Sequence, residues 1–312
     1  MTEHDLARLL PADRFGSVRS VQSFPHGLSG AAVYDVATDS GDFVVRVLAE
    51  TPDEQWRRQL ELLRLVTAAG IAPPLAWVDE RARATVSPKI AGQFAGALAD
   101  PAARPRAIAS LVETLARLHR LPADGFGSGD PIAMTRALWQ EQSAKPGFPA
   151  WAAPALVRID RCARLLDADP RRVPSHNDMN PTNVLWDGTR VWLVDWDSAA
   201  LTHPYYDLAV AAMFIRLDDA VALDLLARQE GTPISPAQAE TFRALRQLAA
   251  ILCGTMFLRL SGDLSAAPRH LDETPTLLQF YARLRTGELA LRSSSGQATF
   301  GAAMLKEAIT GD

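Results

Sequence analysis

The sequence predicts an α+β chain in two lobes, a small β-rich lobe with one helix followed by a larger, mainly helical one. Three observations carry this. Up to about residue 90, short β-prone runs alternate with turn residues and are interrupted by a single helical pattern. After Gly92 apolar residues recur at helical spacing over long stretches. In that second half one clear strand signal remains, VLWDGTRVWLVDW (184–196). The expected division is an N-lobe over 1–90, a helical C-lobe over 91–292, and a tail over 293–312.

In chain order, SVRSVQSF and AAVYDVAT flank HGLSG as short strands, and SGDF turns into the strand FVVRVLAE (43–50). DEQWRRQLELLRLVTAAG follows as a helix with Trp56, Leu60, Leu63 and Val66 on one side, Asp53 contributing to its cap and Gly70 ending it. APPLAWVDE and ATVSPKIAG are two further strands joined by the polar ERAR turn. PRAIASLVETLARLHRL (105–121) and WAAPALVRIDRCARLLDA read as helices, and helices dominate again from about 205 to 290. Asp187-Gly188 is a two-residue hairpin turn signal inside the lone strand pair. In the tail, Phe300, Met304, Leu305 and Ile309 lie at helical spacing, the pattern of a docked terminal helix.

Net charge is −4 and the basic residues are scattered, so nothing favours a nucleic-acid partner. Cys162 and Cys253 form no CxxC pair, which points to a reducing cytoplasmic setting. The start MTEHDLARLL lacks a basic opening with an apolar run, and LAAILCGTMFL (248–258) is shorter than the roughly 20 residues of a membrane helix. No membrane partner is expected, and oligomeric state is not legible.

The stretch SHNDMNPTNVLW (175–186) concentrates polar groups before a strand. Asn183 follows Asp178 by five residues, and a hairpin folded at Asp187-Gly188 brings Asn183 and Asp195 toward the same end. A carboxylate with an amide oxygen is a hard-oxygen pair suited to Mg²⁺, which keeps waters and takes phosphate oxygens as further ligands. Asp178, off the metal, is placed to accept a proton from an attacking hydroxyl. Phosphoryl transfer asks for this division of labour, and protein kinases use the same Asp-to-Asn spacing with a metal-binding Asp shortly after.

HNDMNPTNVLW, LVDWDSA and HPYYDLA, taken in that order, resemble the aminoglycoside phosphotransferase and choline kinase family, which has a protein-kinase-like fold. HGLSGAAVYDV is similar to that family's nucleotide loop, AAGIAPPL to its link after the N-lobe helix, and LARLHRLP to the helix before the catalytic loop. The resemblance covers roughly residues 20 to 260. It implies an ATP- and Mg²⁺-dependent kinase acting on a small-molecule hydroxyl, with Asp178 as catalytic base and Asn183 and Asp195 as metal ligands. Asp197 stands where many choline-kinase-like members have a second acid, toward metal or substrate. His176 and Asp207 match structural supports of the loop.

Two positions depart from the family pattern. Arg46 occupies the slot of the usual phosphate-binding lysine, where its guanidinium forks onto phosphate oxygens. Gln59 occupies the slot of that lysine's partner glutamate. On the nucleotide side, Ser29 and Gly30 offer donors to phosphate; Pro88 has no N–H, which leaves Lys89 or Ile90 to meet the adenine. On the acceptor side, Asp178, Asp195 and Asp197 with the aromatic faces of Trp196, Tyr205 and Tyr206 favour a cationic alcohol such as choline, ethanolamine or thiamine. Trp139, Phe214 and Phe257 are further contributors. An aminoglycoside or sugar acceptor stays open, as does a nucleotide-binding regulator whose catalysis Arg46 and Gln59 have impaired.

Overall fold

The structure, a computed structural model, describes Leu6, residues 9–24 and residues 31–311. The chain forms two compact units, one of residues 1–127 with 180–199, the other of residues 128–179 with 200–312.

The first unit is built on a five-stranded antiparallel sheet: β1 (Val18–Ser23), β2 (Ala32–Thr38), β3 (Gly41–Val47), β4 (Trp77–Asp79) and β5 (Ala84–Pro88), in the order β1-β2-β3-β5-β4. Alternation along β3 sends Val45 and Val47 to one face, where they pack with Leu6, Phe15, Val36 and Val86. Arg46 takes the opposite face, shared by Leu48 and by Trp56 and Leu60 of helix α1 (Asp53–Ala68). β3 is central and Arg46 pairs with Val33 on one side and Thr85 on the other, so its backbone is fixed from both sides. Helix α1 begins at Pro52 with no side-chain cap; Asp53, expected to help cap it, instead pairs with Arg83 across the sheet. Gly70, at φ 64°, ends the helical segment as expected.

Helices α2 (Phe94–Ala99) and α3 (Arg104–Leu118) and the hairpin of β6 (Val184–Trp186) and β7 (Val191–Leu193) complete this unit. Residue 90 is therefore not where the first unit ends. Backbone bonds hold the hairpin there: Trp186 N–H donates to Gly92 at 3.0 Å and Leu193 N–H to Ile71 at 2.9 Å. Val191 N–H donates to Ser110 Oγ at 2.9 Å. The hairpin turn also sits one residue later than its dipeptide signal suggests. Trp186 pairs with Val191, and Asp187 N–H donates to Arg190, leaving Gly188 and Thr189 as central residues with Gly188 at φ 99°.

The second unit is helical, with α4 (Pro131–Ser143), α5 (Ala155–Ala168), α6 (Tyr206–Phe214), α7 (Asp219–Glu230), α8 (Pro236–Ser261), α9 (Leu277–Arg285) and α10 (Ser294–Thr310). Short strands β8 (Val173–Ser175) and β9 (Ala200–Thr202) pair antiparallel. α8 opens on a capping box of Ser235 and Gln238 and packs against α4, α5, α6 and α10. It is longer than its apolar run implied, 26 residues, and long and apolar enough to cross a membrane by length and composition; 61% of its most apolar window is buried in the unit's core. The tail residues form α10, whose Gly301 meets Gly254 of α8. A Cβ on Gly301 would lie 2.6 Å from the Gly254 carbonyl, and one on Gly254 2.8 Å from the Gly301 carbonyl. Only two glycines permit backbones this close.

Candidate active site

In the first unit, four of the residues singled out by sequence converge. Arg46 Nη2 lies 2.6 Å from Asp197 Oδ2 and 3.5 Å from Asp195 Oδ1. Gln59 Nε2, from α1, donates to the other oxygen of Asp197 at 3.3 Å. Gln59 thus reaches Arg46 through Asp197, and not by the amide-to-guanidinium contact that its slot suggests. Its Oε1 is buried with no hydrogen-bond partner among the described residues. Beneath this cluster lies a cavity of about 60 Å³ with apolar walls that include Leu48, Trp56, Leu60 and Trp196.

The hairpin's open end presents Asn183 and Asp195. Asn183 is buried, and its carbonyl accepts the Val194 N–H at 3.0 Å, so it stands opposite Val194 and next to Asp195 across the ladder. Asp195 adopts a left-handed backbone, φ 63° and ψ 74°, a cost a non-glycine residue sustains where the surroundings hold it. One amide and one carboxylate oxygen fit a magnesium ion that keeps its waters. The described residues contain no group of three or more His, Cys, Asp or Glu that could hold a metal ion. Both oxygens of Asp197 are engaged by protein donors.

Asp187 anchors the turn of the same hairpin. Its carboxylate accepts from Thr189 N–H and Oγ, Arg190 N–H and Trp192 Nε1 at 2.7–2.8 Å. Burial works against its ionisation, but the bonds from Thr189, Trp192 and Arg190 prevail and hold its pKa at about 2.

In the second unit, the loop after β8 carries His176, Asn177 and Asp178. Asp207, fully buried in the first turn of α6, accepts the N–H of His176 at 2.9 Å and of Asn177 at 2.7 Å. His176, also fully buried, accepts the Asp178 N–H on Nδ1 at 3.3 Å. Asn177 is a hub: at φ 65° it takes the left-handed region, Thr202 Oγ1 donates to its Oδ1 at 2.7 Å, and its Nδ2 donates to the Ala200 carbonyl at 3.3 Å. Asparagine is the side chain besides glycine that enters this region most readily, the signal that might have marked it. Asn180 also gains a role, its Oδ1 accepting the Thr182 N–H in a local turn. Asp178 is partly exposed, and its charge reaches Cys253 on α8; burial first and Asp178 second push that thiol up to about 12.

Three expectations need correction. Tyr205 and Tyr206 are 0% and 2% exposed and offer no accessible ring face. The Tyr205 hydroxyl is bonded by Arg171 and Gln238, and burial raises the Tyr206 phenol. Trp196 is likewise buried, its Nε1 donating to the Leu193 carbonyl at 3.1 Å. The Lys89 N–H is bonded to the Asp42 carbonyl at 2.9 Å, continuing the β3–β5 ladder, and its ammonium pairs with Asp35. Of the two adenine donors considered, Ile90 is the one left. Ser29 and Gly30 lie outside the described residues.

A strand-and-helix first unit and a helical second unit are the parts of a kinase-like fold. Residues 20–248 match the phosphotransferase enzyme family, and the chain belongs to that family. Among solved structures, it is similar to a choline/ethanolamine kinase family protein from Mesorhizobium loti, at 20% identity and TM-score 0.64 over 92% of each chain. It is similar to the choline kinase LicA from Streptococcus pneumoniae, at 14% identity and TM-score 0.63 over 97% of this chain and 96% of the other. A putative aminoglycoside phosphotransferase from Ralstonia eutropha matches at 14% identity and TM-score 0.59, over 93% and 92%. A search of curated proteins finds no match. The protein is thus an enzyme of the phosphotransferase type.

Proposed function

We propose that the protein transfers the γ-phosphate of ATP to the hydroxyl of a small cationic alcohol of the choline, ethanolamine or thiamine type. The observation that carries the phosphate half is Arg46. It is fixed at the centre of the sheet and drawn by Asp197 and Asp195 toward the hairpin end that holds Asn183. Only Nη2 of its guanidinium is used in these pairs, which leaves a further edge of the fork for phosphate oxygens. Support for the nucleotide also comes from LicA, whose structure in complex with AMP is similar to this chain at TM-score 0.60.

In this reading Asn183 and Asp195 hold Mg²⁺, which when bound neutralises phosphate charge. Asp178 accepts the acceptor's proton, and the loop clamped by Asp207 fixes where that carboxylate starts. Ile90 meets the adenine, with Ser29 and Gly30 toward the phosphates. An engaged Arg46 supports an active kinase over an impaired regulator.

For the acceptor, support comes from two choline-kinase-type relatives by fold and from Phe257, one of the further aromatic contributors the sequence suggested. Phe257, one helical turn beyond Cys253, is partly exposed and meets Phe300 edge-on at 4.6 Å, while Tyr281 lies 6.2 Å from the same ring. An aromatic group of this kind suits a quaternary ammonium. A second reading, a sugar or aminoglycoside hydroxyl, is supported by the similarity in fold to the Ralstonia eutropha protein.

The test is magnesium-dependent ATP consumption across choline, ethanolamine, thiamine, aminoglycosides and amino sugars. A cationic alcohol is expected to raise turnover most. ATP binding with no acceptor raising turnover would reject the kinase reading in favour of a regulator.

A further inference from the structure

The geometry points to Asp197 as the positioning residue for Arg46, held in place by Gln59, so that the phosphate-binding guanidinium is set from the hairpin strand and not by an acid on helix α1. This rests on the reading of Arg46 as a phosphate ligand. Three observations lead to it. The shortest contact of Arg46 in the cluster is to Asp197, at 2.6 Å against 3.5 Å to Asp195. Helix α1 contributes no carboxylate to that cluster: it contributes Gln59, whose donor faces Asp197 while its acceptor is buried without a partner. Both partners of the 2.6 Å pair are about three-quarters shielded, with side chains 22% and 25% exposed, so the pair is held far better than a typical surface bridge.

An amide at position 59 is required by this arrangement. A glutamate there would set two carboxylates about 3.3 Å apart, the present Gln59–Asp197 separation, and both would compete for one guanidinium. The acid belongs at one of the two positions only. With Asp197 committed to Arg46 through one oxygen and Gln59 through the other, the metal donors are Asn183 and Asp195, and the second acid of the hairpin serves the guanidinium.

The decisive test exchanges the chemistry of the two positions. Asp197→Asn removes the charge from Arg46, Gln59→Glu crowds two acids, and Gln59→Glu/Asp197→Asn restores one acid and one amide in reversed order. Melting of the nucleotide-free protein is read alongside kcat and the KM for ATP. Each single variant is expected to melt about 2–4 °C lower and the double variant to recover most of that loss. The same pattern is expected in kcat, with a coupling of about tenfold between the two positions, within the range of contacting residues.

A double variant that behaves as the sum of its singles overturns the proposal. So does an Asp197→Asn variant whose kcat returns to wild type simply on raising Mg²⁺, because that marks Asp197 as a metal ligand. If the wild-type protein binds no ATP, the reading of Arg46 as phosphate ligand fails separately, and the melting cycle still scores the contact network.

Discussion

Two acids mark the difference between the halves of this enzyme's machinery. Asp207, in the second unit, is fully buried and bonded by backbone N–H groups; Asp197, in the first, is partly exposed and bonded by the side chains of Arg46 and Gln59. Each serves a stretch that contains a left-handed non-glycine residue, Asn177 in one case and Asp195 in the other. Backbone donors cannot rotate away, and buried ones have no water to replace the lost acceptor. Side-chain donors can exchange partners when a phosphate or a cation arrives. The second unit therefore holds a preset loop, and the first holds an adjustable charge cluster.

The largest break in this contrast is expected at Asp178, the residue the preset loop carries. Asp178→Asn should lower turnover by about 10²–10⁴-fold with little change in nucleotide affinity, since it removes a proton acceptor and no phosphate contact. Steady-state kinetics with equilibrium ATP binding checks both halves; unchanged turnover would remove Asp178 from the role of base.

Next in size is the stability cost of removing each acid. Asp207→Ala strands one buried and one part-buried N–H group and is expected to destabilise by about 2–5 kcal/mol in urea unfolding. Asp197→Ala should cost less, about 1–2 kcal/mol, because the side-chain donors it leaves keep some access to water. Equal costs would erase the distinction between preset and adjustable.

Asn177 separates backbone strain from side-chain bonding within the loop. Asn177→Ala and Asn177→Gly both lose the bonds to Thr202 and Ala200, but glycine relaxes the left-handed conformation. The alanine variant should be the less stable by about 1 kcal/mol, read as a lower melting temperature.

The smallest effect concerns Asp187, which lies in the first unit yet is bonded partly by backbone N–H groups, as Asp207 is. Its folded pKa of about 2 lies below the ordinary 3.8, so its contribution is complete above pH 3.8 and is lost as pH falls toward 2. Unfolding measured at pH 5 and near pH 2.5 should show wild type losing more stability than Asp187→Asn across that interval. An identical loss in both would assign the acid sensitivity elsewhere.

The sequence made local relations legible and left long-range ones hidden. The five-residue step from Asp178 to Asn183 and the alternation that turns Arg46 away from Val45 and Val47 are properties of neighbouring residues, and the lobe order follows from periodicity. The Arg46–Asp197 pair joins positions 151 residues apart and is written in no local pattern. Burial misled at Tyr205 and Tyr206, because an aromatic pair before a helix reads the same whether it faces a ligand or a core. Lys89 failed for a related reason: whether an N–H at a strand end is spent depends on how far its partner strand runs. The hairpin turn moved by one residue because the Asp187 side chain takes N–H groups ahead of it and claims the first corner.

The glycine crossing of α8 and α10 bears on how the protein is maintained in a cell. Helix α8 is long and apolar, and α10 is among the elements that cover it, through a seam that admits no side chain. A chain interrupted before Ser294, or one bearing Gly301→Leu, would display that surface. Such products are expected to be caught by proteostasis or to aggregate, so the seam would serve as a checkpoint on an intact catalytic unit.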